Sequence, residues 1–102
     1  MSKRRVRWTP LAARDLERAH AALREHSRGA AKRFAMRLRD AIESLTHHPE
    51  LGPIAEDIGP ARRYRHLVVD QHRIIYRFDA EALFVLRVWD TRRAPWALLV
   101  EE

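Results

Sequence analysis

The sequence predicts an α+β domain of order βααβββ, a helical hairpin packed on a small antiparallel sheet. Three observations predict it. Residues 10–45 repeat apolar side chains at helical period, residues 64–89 hold three β-type apolar runs, and only short turns separate those runs. Consecutive strands joined by short turns must be antiparallel, and helices covering one side of such a sheet make a two-layer domain. With 102 residues the chain is long enough for one core, so residues 1–102 are read as a single domain.

Residues 4–8 read as a first strand. Thr9-Pro10 is a helix start, because the threonine oxygen can accept from free amides and proline suits the first helical position. Leu11, Leu16, Ala19 and Leu23 carry the first helix over about 10–26, and Ser27-Arg28-Gly29 breaks it. In the second helix Phe34, Leu38, Ala41, Ile42 and Leu45 form one apolar stripe. Pro49 ends that helix at His47-His48. Residues 49–61, with three prolines and two glycines, form an ordered loop. In the strands that follow, Tyr64, His66 and Val68 oppose Arg65, Leu67 and Val69 across Asp70-Gln71 from the next strand. There His72, Ile74, Tyr76 and Phe78 oppose Arg73, Ile75 and Arg77, and in the last strand Phe84, Leu86 and Val88 oppose Val85, Arg87 and Trp89. Trp8 is placed in the core beside the first helix, and Trp96 at the surface.

Charge is uneven. Residues 1–39 hold twelve Lys/Arg against three Asp/Glu, residues 40–61 none against five, and residues 62–102 eight against six, for a net of +6. Only Lys3 and Lys32 are lysine, and arginine offers a planar fork for phosphate or carboxylate that lysine lacks. An anionic partner is therefore expected, either nucleic acid or an acidic protein segment. Arg63, Arg65, Arg77, Arg87 and Arg93 are the candidate target- or anion-binding residues, since they alternate with apolar neighbours or follow the last strand. The arginines of the helices, such as Arg18, Arg33 and Arg37, read as a solvated face. With no cysteine there is no disulfide framework, and a reducing cytoplasm is the expected location. No apolar run reaches the ~20 residues of a membrane span, and the basic start lacks the apolar core of a secretory signal. His47-His48 has no third ligand at useful spacing, so neither metal nor cofactor is expected.

Several short motifs stand in a telling order: W-T-P-x-A-x-x-D-L (Trp8 to Leu16), H-P-E-L-G (His48 to Gly52), Y-R-x-L (Tyr64 to Leu67), R-I-I-Y-R (Arg73 to Arg77) and V-L-R-V-W-D-x-R-R (Val85 to Arg93). Together they resemble the RelE/ParE superfamily of toxins from type II toxin–antitoxin pairs over nearly the whole chain. The resemblance implies a growth-inhibiting, plasmid-stabilising toxin held inactive in a hetero-oligomer with a cognate antitoxin. It also implies one of two targets. ParE-like members inhibit DNA gyrase, whereas RelE-like members cleave mRNA on the ribosome.

Position by position, the resemblance assigns Arg73 and Arg92 to charge stabilisation if the chain is a ribonuclease. His66 would then be the base, because an imidazole titrates near neutrality. The two lysines of RelE-like enzymes fall at Tyr64 and His66, and their C-terminal tyrosine falls near Leu98. The acid–base set is thus incomplete, so the enzyme question stays open and leans toward binding. Gyrase inhibition is the first expectation, mRNA cleavage the alternative, and a non-toxic basic nucleic-acid-binding module the third reading.

Overall fold

The computed structural model describes residues 3–59 and 63–101. Pro60 and Ala61 of the expected loop, and Arg62 at the head of the following apolar run, lie outside the described residues. The elements are β1 (Arg5–Trp8), α1 (Pro10–His26), α2 (Arg28–His47), β2 (Arg65–Val69), β3 (His72–Phe78) and β4 (Ala82–Asp90), followed by a 3-10 turn, Pro95–Ala97. The order βααβββ and the two layers are as the sequence predicts.

Local chemistry sets the helix ends. Thr9 Oγ1 accepts from Ala12 N at 3.1 Å, and its hydroxyl donates to the Leu86 carbonyl at 2.9 Å, which ties the start of α1 to β4. The break between the helices is Ser27 alone. Its N–H donates to Leu23 O, and its hydroxyl oxygen accepts from Ala30 N, so one extended residue closes α1 and opens α2. Arg28 and Gly29 lie inside α2, because the serine already satisfies both helix ends.

Strand order is β1-β4-β3-β2. β2, β3 and β4 form the expected antiparallel meander, and β1 adds a parallel pair against β4, so the four-stranded sheet is mixed. The hairpin of helices returns the chain over one face. There Phe34, Leu38, Ile42 and Leu45 of α2 pack with Ala12 and Ala19 of α1 on Val69, Ile74, Tyr76, Leu83, Val85 and Val88. Arg37 clips α2 to the β2–β3 turn through both Asp70 oxygens, at 2.8 and 2.9 Å, and Asp70 takes φ 56 there. Aspartate tolerates this left-handed turn conformation better than most residues.

One irregularity alters the predicted face pattern. Ile75 pairs with Arg87 and Tyr76 with Val85, leaving Leu86 as an extra residue of β4. The alternation therefore slips. Val88 joins Leu83 and Val85 on the helix side, while Phe84 and Leu86 pack on the opposite face with Ile75, Ala55, Ile58, Leu98 and Val100. The second face is thus partly covered by the loop after α2 and by the C-terminal segment. The buried Tyr76 hydroxyl holds that loop: it donates to Pro49 O at 2.6 Å and accepts from Gly52 N at 3.0 Å. A Cβ on Gly52 would stand 2.4 Å from His66 O, so only glycine fits. Trp8 is not in the core. It lies on the edge strand with 36% of its surface exposed, since β1 has a neighbour on one side only, whereas Trp96 is 86% exposed as predicted.

Candidate functional site

The strand arginines do not form one face. Residues paired across antiparallel strands share a side of the sheet, so His66, Val68, Arg73 and Trp89 stand on the outer side with Ile75 and Arg77, and Arg65 stands on the helix side with Tyr76. Arg65 is turned to the loop and donates to Gly52 O at 2.9 Å, its guanidinium 5.9 Å from the Phe78 ring centre. Arg87 is buried. Its Nε and Nη2 donate to the Asp15 carboxylate at 2.7 and 3.0 Å, Nη1 donates to Leu99 O at 2.7 Å, and Val88 N also donates to Asp15. Period-two alternation places Arg87 on an open face. Arg87 instead lies opposite Ile75 after the bulge at Leu86, under the C-terminal segment, and its guanidinium binds the Asp15 carboxylate of α1.

Arg73 and His66 do come together. Arg73 Nε–H donates to His66 Nδ1 at 2.7 Å, and its two terminal nitrogens grip both oxygens of Asp57, that of Nη1 at 2.8 Å. Arg77 lies 3.9 Å over the Phe84 ring, Arg93 4.2 Å over Trp89, and Arg63 6.0 Å from the Tyr64 ring. The electron-rich ring face attracts the charge above it. Arg92 sits beyond β4, bound to Asp90 through Nε and Nη2 at 3.0 and 2.8 Å. That hydrogen bond, reinforced by the Arg92 amide and charge, holds the Asp90 carboxyl down to about 2.

This geometry limits the acid–base chemistry. His66 Nδ1 is an acceptor for Arg73, so the neutral ring carries its proton on Nε2 and has no lone pair left for a substrate hydroxyl. Burial, then the charge of Arg73, lowers the His66 pKa and keeps the ring neutral. Arg73 in turn holds the Asp57 carboxyl below its ordinary value. The site can grip an anion; as arranged, it cannot take a proton.

A second feature escaped sequence reasoning. A cleft of about 500 Å³ opens between the α1–α2 hairpin, the β2–β3 turn and the end of β4. Ala19, Leu23, Phe34 and Val88 line its depth, and Arg18, Arg33, Arg37 and Arg92 surround it. His72 is buried in its wall against Phe34, ring centres 4.7 Å apart, and burial lowers its pKa. Arg18 of α1 and Arg33 and Arg37 of α2 border this cleft, while Arg14, Arg24, Arg28 and Arg39 stay on the solvated face. The i, i+4 spacing of Arg33 and Arg37 on α2, beside the stripe residue Phe34, was the signal. Among the described residues, no cluster of three or more His, Asp or Glu side chains could hold a metal ion, and no helix is long and apolar enough to cross a membrane.

Comparison with known proteins agrees with this architecture. Among curated proteins no sequence matches the chain. Among solved structures, the chromosomal ParDE TA system from P. aeruginosa superposes with a TM-score of 0.68 at 18% identity, over 86% of this chain and 96% of that one. A likeness at that identity shows the fold. The sequence pattern described as "ParE toxin of type II toxin-antitoxin system, parDE" matches residues 6–95, nearly the whole described domain. The chain therefore belongs to the ParE toxin family of type II toxin–antitoxin systems.

Proposed function

We propose that this protein inhibits growth by binding DNA gyrase, and that a cognate antitoxin neutralises it in a cytoplasmic hetero-oligomer. Membership of the ParE family supports the toxin and antitoxin parts of this reading. One observation carries the choice of binding over cutting: the His66 imidazole beside Arg73 on the outer face has its acceptor nitrogen taken by Arg73 itself. Cleavage by a 2′-hydroxyl needs a base with a free lone pair. Arg18 and Arg33 at the cleft suit the acidic part of an antitoxin, because charge beside an apolar floor gives both steering and grip, while Arg37 and Arg92 there are held by Asp70 and Asp90. Arg63, Arg77 and Arg93 are proposed to contact the target.

Cleavage of mRNA on the ribosome is the second reading, and it draws on the same Arg73–His66 contact, with Arg92 as a further cation. Purified protein is to be tested side by side on gyrase supercoiling and on translating ribosomes. Inhibited supercoiling with intact mRNA is the expected result. Position-specific mRNA cuts with untouched supercoiling would overturn it.

A further inference from the structure

The terminal nitrogens of Arg73 are held by a solvent-facing carboxylate. Its side chain is 14% exposed and that of Asp57 55%. The pair is bidentate, which is the strong and directional arrangement for guanidinium and carboxylate. The floor beneath it is fixed. His66 holds Nε, and Trp89 lies opposite Arg73 in the register with Arg93 stacked on it. The loop that carries Asp57 is fixed too, since Ala55 and Ile58 are buried against Ile75 and Leu86, and Ala55 N donates to Tyr64 O at 2.8 Å. Only the Asp57 side chain has room to leave. It borders a hollow of about 320 Å³ between the loop and the C-terminal segment, with Tyr64, Pro95 and Leu98 in its walls.

We propose that Asp57 is an internal plug on Arg73, and that a carboxylate from a protein partner takes its place by side-chain exchange. This inference rests on the reading of the protein as a binder of a protein target. The fork already accepts a carboxylate, so an Asp or Glu side chain reproduces its contacts atom for atom. The little exposed surface of Arg73 admits a slim group on a stem. The displaced Asp57 stays beside the site as a negative charge, which repels a strand carrying a phosphate at every nucleotide. It favours instead one acidic side chain flanked by basic ones.

The test is a titration of the full chain with a capped Lys-Asp-Lys peptide, followed by the Arg73 Nε–Hε signal in NMR. Asp57→Asn is expected to bind the peptide about fivefold more tightly than the wild type, the size of an exposed ion pair. A Lys-Asn-Lys peptide should show no gain, and Asp57→Asn with Arg73→Gln should lose it. Equal affinity for wild type and Asp57→Asn, with the Ala55 and Ile58 amide signals in place, would overturn the proposal. If those signals show the loop released, the wild type decides alone: saturating peptide must shift the Asp57 carboxyl carbon, and a static signal overturns exchange. A single-stranded oligonucleotide that moves the Arg73 signal more than the peptide does would overturn the assignment of the partner. The titration contains no gyrase, so a failure here and a failure of the supercoiling assay are separate results.

Discussion

Two arginine–carboxylate pairs on adjacent strands use the same bidentate geometry in opposite surroundings. Arg87 and Asp15 have 9% and 6% of their side chains exposed, and the remaining donors find Leu99 O while the carboxylate also takes Val88 N. Arg73 and Asp57 have 14% and 55% exposed, and only the arginine is held from the sheet. A charge buried at both ends cannot leave without stranding its partner in a low dielectric. A pair with one wet end can exchange that end for another anion, because water meets the departing carboxylate. The comparison separates arginines that fasten the fold from arginines that can serve a partner, a distinction that residue type does not carry.

Removing charge from the buried carboxylate should have the largest effect. Asp15→Asn keeps the size of the side chain but leaves Arg87 charged and unpaired beneath α1, with the Val88 amide less well satisfied. The expected loss is about 3–5 kcal/mol, the range for breaking a buried pair. Small domains hold only about 5–15 kcal/mol in all, so the variant should unfold at much lower urea concentration. A loss under about 1 kcal/mol would show that this pair is no more structural than the outer one.

Asp15 also shows what was legible beforehand. The stripe Phe34, Leu38, Ile42, Leu45 and the Thr9-Pro10 start were readable because helix period and end chemistry are local. So were the strand spans and the antiparallel meander. The parallel pairing of β1 with β4 was not, since it is set by where the helices return the chain. Nor was the burial of Arg87: it depends on Asp15 and Leu99, 72 and 12 residues away, and on a one-residue bulge that no glycine or proline marks. At the candidate site, Arg73 and His66 were readable as neighbours of interest. Asp57 was not, because it comes from a loop whose path depends on Tyr76, 19 residues further along the chain, gripping Pro49 and Gly52.

A smaller effect follows from the two histidines on opposite sides of the sheet. Burial lowers the pKa of both His66 and His72, with the charge of Arg73 adding to the shift at His66 and Asp90 opposing it at His72. In the unfolded chain both titrate near their ordinary value of about 6.5. The folded state then binds fewer protons than the unfolded state just below that pH, so stability is full above about 6.5 and falls as the pH drops through the lowered folded values. Melting temperature should decline between about pH 7 and 5. His66→Asn should make that decline shallower, and a pH-independent melting temperature in the wild type would contradict the sheltered state of both rings.

The smallest expected change is the most telling for the outer pair. Asp57→Asn removes one charge from an exposed partner and leaves a polar side chain of equal size, so unfolding free energy at pH 7 should change by less than about 1 kcal/mol. The sign of its pH dependence is fixed by the direction of the shift. Hydrogen bonding from Arg73 lowers the Asp57 pKa below its ordinary value of 3.8, so the wild-type advantage is full above that value and disappears as the pH falls through the folded one. Urea titrations of both proteins should therefore converge in acid. A gap of several kcal/mol at pH 7 would mean that Asp57 fastens the loop as Asp15 fastens α1, and the outer arginine would then be no freer to change partners than the buried one.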